Sequence, residues 1–133
     1  MTVQELNRWR YLDLQIEDLK IKINELEDLA TGGTSHITGM PKSPNTTDRM
    51  AEYVSKMVDL KNILAERYRD CVECRIRLEN YIDSIAYDPY MQTIITLRYV
   101  NGLTWNEISD RVSNGSVDPE TIRKAHNRFL TKN

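Results

Sequence analysis

Apolar side chains recur through the first thirty residues at alternating steps of three and four, at Trp9, Leu12, Ile16, Leu19, Ile23, Leu26 and Ala30. That spacing draws a coiled-coil seam down one face of a helix. Thr2 and Glu5 form a capping box ahead of it, so a helix is predicted over about residues 3–30. The stretch that follows, "TGGTSHITGMPKSPNTT", gathers Gly, Ser, Thr and Pro without any apolar period. It reads as a loop over 31–47, with Asn45 to Thr47 able to cap what comes next. A second helix is predicted over about 48–85. Its Met50, Met57, Leu64, Cys71, Leu78 and Ile85 fall seven apart, and Tyr53, Val54, Leu60, Tyr68, Cys74, Tyr81 and Ile82 widen the stripe.

A helix of that length needs a partner for its apolar stripe, and the first helix, folded back antiparallel, is the nearest one. The second helix outruns the first by some ten residues, roughly 15 Å of stripe at 1.5 Å per residue. This surplus is expected at the Cys74 to Ile85 end, covered by the C-terminal segment. Leu14 and Ile21 lie off the main seam, which makes a homodimer through the hairpin an expected partner arrangement.

From Asp88 to Leu130 the pattern changes to three short helical segments separated by turn signals. Asn101-Gly102 ends the first with a residue able to take a left-handed conformation. Thr104 and Glu107 open the second as a capping box, and "SNGSV" closes it. Asp118-Pro119 starts the third with a capping carboxylate and a proline at the first helical position. In this last helix Ile122, Ala125 and Phe129 share a docking face, while Glu120, Arg123, Lys124, Asn127 and Thr131 lie opposite.

Charge sharpens that picture. The formal net charge is only −2, which argues against wholesale coating of nucleic acid. Its distribution is uneven: residues 1–30 hold seven acids and four bases, whereas the last eleven hold four bases, Arg123, Lys124, Arg128 and Lys132, and no acid. Any nucleic-acid contact is therefore local to the C-terminal helix. A helix in the major groove needs cations to position it on phosphates and amide or forked donors to read base edges. The candidate DNA-binding residues are Glu120, Thr121, Arg123, Lys124, Asn127 and Arg128.

The segment "TIITLRYVNGLTWNEISDRV", followed by "VDPETIRKAHNRFL", resembles region 4 of the bacterial sigma-70 family through Leu97 to Tyr99, Gly102 to Thr104, Glu107-Ile108 and Arg128 to Leu130. Small phage-encoded proteins that join such a module to an N-terminal helical segment, including late-gene transcription regulators, are similar in size and layout. The resemblance implies a helix-turn-helix whose last helix reads promoter DNA through its first turns, at Glu120, Arg123 and Lys124. It also implies RNA polymerase as a possible partner and the bacterial host cytoplasm as the location. The chain holds no counterpart of the promoter-melting sigma region, so a regulator is expected rather than a complete initiation factor. The matched Arg98 and Glu107 sit near a helix junction, where a charge-assisted bond between them would fix the helix angle.

Other chemistry does not rise from the sequence. Cys71 and Cys74 form one Cys-x-x-Cys, but His36 and His126 are far away and lack metal-ligand spacing. Half-buried thiols on a helix are the simpler reading. His126 is expected as a solvated histidine on the flank of the last helix. Neither a catalytic residue, a metal site nor a cofactor site is expected, and no stretch reaches the roughly 20 apolar residues of a membrane span. The predicted fold is all-α: a long antiparallel helical hairpin of coiled-coil type over 1–86, then a C-terminal sigma-region-4-like helix-turn-helix over 87–133. The predicted function is DNA-binding transcription regulation. The alternatives are a phage small-terminase-like packaging protein, which usually carries its DNA-binding module first, and a structural adaptor whose trihelical module binds protein.

Overall fold

A computed structural model describes residues 1–31 and 44–132. Among these residues every regular element is helical: α1 (Val3–Thr31), α2 (Pro44–Ser84), α3 (Pro89–Ile95), α4 (Trp105–Ser113) and α5 (Pro119–Lys132). The all-α expectation holds, and the two long N-terminal helices pack together. At the head of α1 the Thr2 N–H donates to Glu5 Oε2 at 2.8 Å and the Glu5 N–H donates to Thr2 Oγ1 at 3.2 Å. This reciprocal box satisfies two donors that the first helical turn leaves open. α2 begins at Pro44, a few residues before the predicted start, because proline's fixed φ suits the first helical position. The remainder of the predicted loop, residues 32–43, lies outside the described residues.

Contacts divide the chain into two compact units, one of Arg10–Cys71 and one of Met1–Trp9 with Val72–Asn133. In the first, Leu12, Ile16, Leu19, Ile23 and Ala30 are buried along the predicted seam of α1. The Lys20 ammonium stands 5.4 Å from the centre of the Tyr68 ring. In an antiparallel pair, eleven residues further along α1 its last residue, Thr31, falls opposite about residue 57 of α2. The surplus length of α2 therefore lies at its N-terminal end, where Met50 and Val54 are exposed. This corrects the expectation that the surplus would be the Cys74 to Ile85 end.

The second unit explains why. Leu6 on α1, Leu78 on α2 and Ile85 in the turn just after α2 are buried in one cluster with Met91, Ile94, Ile95, Leu97, Tyr99, Ile108 and Ile122. The predicted contact between the end of α2 and the C-terminal helices is present, but the first turns of α1 share it. Trp9 ties them in, since its indole N–H donates to the Tyr99 carbonyl at 3.0 Å and its ring carries the Arg75 guanidinium at 4.6 Å. A unit assembled from both ends of the chain therefore positions α3, α4 and α5. Cys74 is buried and Cys71 half-buried.

Candidate nucleic-acid interface

Three caps and two turns set the C-terminal helices. Asp88 Oδ1 accepts the Met91 N–H at 3.1 Å, with Pro89 in the first turn of α3. α3 then widens into a π-turn over Thr96–Val100, in which the Asn101 N–H reaches back to the Thr96 carbonyl at 3.1 Å. Gly102, at φ +71°, makes the reversal that follows. Thr104 caps α4 by accepting the Glu107 N–H at 3.2 Å, and its hydroxyl donates to Glu107 Oε1 at 3.1 Å. Asp118 caps α5 by accepting the Glu120 N–H at 3.0 Å.

Serine hydroxyls fasten the turn between α4 and α5. The buried Ser109 hydroxyl donates to the Val117 carbonyl, and the Val117 N–H donates to Ser113 Oγ at 3.1 Å. Ser113 in turn donates to the Ser109 carbonyl at 2.8 Å. Asn114 and Gly115 carry the chain through φ +53° and +82°. The predicted breaker is thus a closed hydrogen-bonded turn that fixes α5 against α4.

Glu107 Oε1 accepts from the Thr104 hydroxyl, and among the described residues the expected Arg98–Glu107 ion pair does not form. Arg98 instead donates from Nη1 to the Leu103 carbonyl at 3.0 Å and lays its guanidinium over Trp105 at 4.6 Å. An arginine fork can satisfy a carbonyl and an aromatic face together, which an exposed carboxylate partner would not offer.

His126 corrects the sequence reading most sharply. It is 1% exposed, not solvated. Its Nδ1 lies 3.1 Å from Asn127 Oδ1 and its Nε2 lies 2.8 Å from the Tyr99 hydroxyl. An amide oxygen only accepts, so Nδ1 carries the proton and Nε2 accepts from Tyr99. The imidazole also stacks with Tyr99 at 5.5 Å and meets the edge of Trp105 at 5.0 Å. Burial pushes its pKa below 6.5 and pushes the Tyr99 hydroxyl up to about 12, so both groups are neutral near pH 7. α5 is docked by a histidine as well as by the predicted Ile122. Only the placement of an aromatic residue on each of the neighbouring segments, Tyr99 and Trp105, hinted at such a hub.

On the outer face of α5 the six candidate residues fall into two groups. Glu120 and Arg123 are bound to each other, with Nε to Oε1 at 2.9 Å and Nη2 to Oε2 at 2.8 Å. That fork holds the Glu120 carboxyl below its usual range. Thr121, Lys124, Asn127 and Arg128 are exposed. Among the described residues neither Lys124 nor Arg128 makes an ion pair. The free cations therefore lie past the first turn, while the arginine best suited to forked base recognition is neutralised by its neighbour.

Two of the clefts among the described residues are open to solvent. None of the described helices is long and apolar enough to cross a membrane. No family model matches the chain, and neither a curated protein nor a solved structure does.

Proposed function

We propose that this chain is a DNA-binding transcription regulator of phage or prophage type, with α4 and α5 acting as a sigma-region-4-like helix-turn-helix and α5 entering the major groove. One observation carries the reading. A capped helix, locked to its neighbour by Ser109 and His126, presents Lys124 and Arg128 unpaired and exposed on a stretch that contains no acid after Glu120. A rigid helix with free cations and adjacent amide and hydroxyl donors, Asn127 and Thr121, supplies both phosphate anchoring and base contact. RNA polymerase is a proposed partner, through the resemblance to sigma region 4. A second copy of the chain is another, through the exposed Leu14 and Ile21.

Selection of genomic fragments with the purified protein tests the reading. A single enriched motif is expected, bound with an affinity that falls steeply as salt rises. Binding no tighter than ~100 µM at physiological salt, with no enriched motif, would discard it in favour of the protein-binding adaptor.

A further inference from the structure

The outer face of α5 does not end at its own C-terminus. Asn127 and Thr131, on the same strip as Lys124, share an open groove of about 300 Å³ with Met1, Thr2 and Val3 at the head of α1. Met1 also borders a second cleft, of about 100 Å³, lined by Glu5, Arg8, Cys74 and Arg77. Both clefts belong to the unit that holds the C-terminal helices. The two clefts share Met1, so the head of α1 links the last turns of α5 to two arginines from different helices.

Those two arginines stand apart from their neighbours. Arg75, two residues before Arg77, is committed to Glu79 at 2.9 Å and to the Trp9 ring. Arg8 and Arg77 are exposed and, among the described residues, make no ion pair. The acid beside them, Glu5, is hydrogen-bonded by the Thr2 N–H and hydroxyl in the capping box and feels the Arg77 charge without forming an ion pair with it. Lys124 to Thr131 covers about 10 Å along α5, and Val3 to Arg8 covers about 7.5 Å along α1.

We propose that Arg8 and Arg77 form a second phosphate clamp, gripping the backbone of the duplex whose major groove α5 occupies. The inference rests on the DNA-binding reading and extends it. The site of contact is then longer than one recognition helix, and the head of α1 is part of the interface.

The test is a salt titration of the full chain on its selected duplex, comparing wild type with Arg8→Gln/Arg77→Gln. Loss of two phosphate contacts should lower the log–log slope by about 1.8, so wild-type affinity should fall about twelve-fold more than the variant's between 50 and 200 mM salt. Sequence preference should not change. Arg8→Lys/Arg77→Lys should restore the slope, because a phosphate accepts either cation, and that rescue separates a contact from a fold defect. If the glutamine pair keeps the wild-type slope while Lys124→Ala loses affinity, the clamp is wrong and the α5 reading stands. If wild type itself shows no salt-dependent duplex binding, both fall.

Discussion

The Tyr99 hydroxyl and His126 Nε2 meet at 2.8 Å in the centre of the C-terminal core, so a neutral histidine carries the docking of α5. Its folded pKa lies below the ordinary 6.5 because burial outweighs the opposing Asn127 hydrogen bond, with the Arg98 charge adding a smaller push downward. The folded state then binds fewer protons than the unfolded chain as pH falls below 6.5, and stability falls with it. The contribution is fully present above about pH 6.5 and is lost as pH drops through the folded value. Thermal melting from pH 7.5 to 5.5 should show a declining Tm, and His126→Gln should flatten the decline. An unchanged slope in that variant would remove His126 from the account. Glu5 and Glu120, whose pKa values are lowered from 4.5, act only at more acid pH.

Tyr99→Phe removes the donor and leaves Nε2 buried without one. The cost should be about 1 to 3 kcal/mol, the penalty of an orphaned buried acceptor, with no compensating gain in packing. Chemical denaturation measures it, and an intact m-value would show that the fold itself is unchanged.

Much of this arrangement was legible in the sequence, and the misses have a common cause. Local signals read correctly: the Thr2–Glu5 and Thr104–Glu107 boxes, the Asp118-Pro119 start, the left-handed Gly102 and the α1 seam are each set by neighbours within four residues. What failed depended on partners far along the chain. His126 is solvated or buried according to where Tyr99 lies, and Arg98 turns to the Leu103 carbonyl and the Trp105 ring rather than to Glu107, whose carboxylate accepts from its own cap. The end of α2 and the head of α1 join one core through Leu6 and Leu78, a contact that no periodicity in either helix specifies. Glu120 and Arg123 sit three apart on one helix, so their pairing was within reach of the spacing rule for helical neighbours.

Gly115 tests the serine-fastened turn. At φ +82° an L-residue is strained, and a Cβ there would stand 3.3 Å from Asp110 Oδ1. Gly115→Ala should therefore destabilise by about 1 to 2 kcal/mol, chiefly through the backbone. Melting should show the loss, and duplex binding should weaken only as far as α5 loses its fixed angle. A neutral or stabilising result would mean that the turn relaxes without cost.

The Glu120–Arg123 fork makes an unusual prediction for the proposed interface. Arg123→Ala should cost little affinity, because the guanidinium is already neutralised, whereas Glu120→Gln should release it. The released arginine should tighten duplex binding several-fold and raise the salt slope by about one. If Glu120→Gln instead weakens binding and blurs the selected motif, the carboxylate itself reads a base, as an acid can by accepting from cytosine.

Leu14 is 62% and Ile21 55% exposed, seven residues apart on the face of α1 away from its buried seam. A row of that kind is too short to fold anything alone, but it can register a helix from a second copy. Leu14→Asp/Ile21→Asp should therefore leave the melting of the monomer intact and abolish self-association in sedimentation equilibrium. It should also weaken duplex binding, since two half-sites would no longer be held by one linked pair of modules. A wild-type chain that sediments as a monomer through the high-micromolar range would end the dimer proposal and leave one α5 on each site.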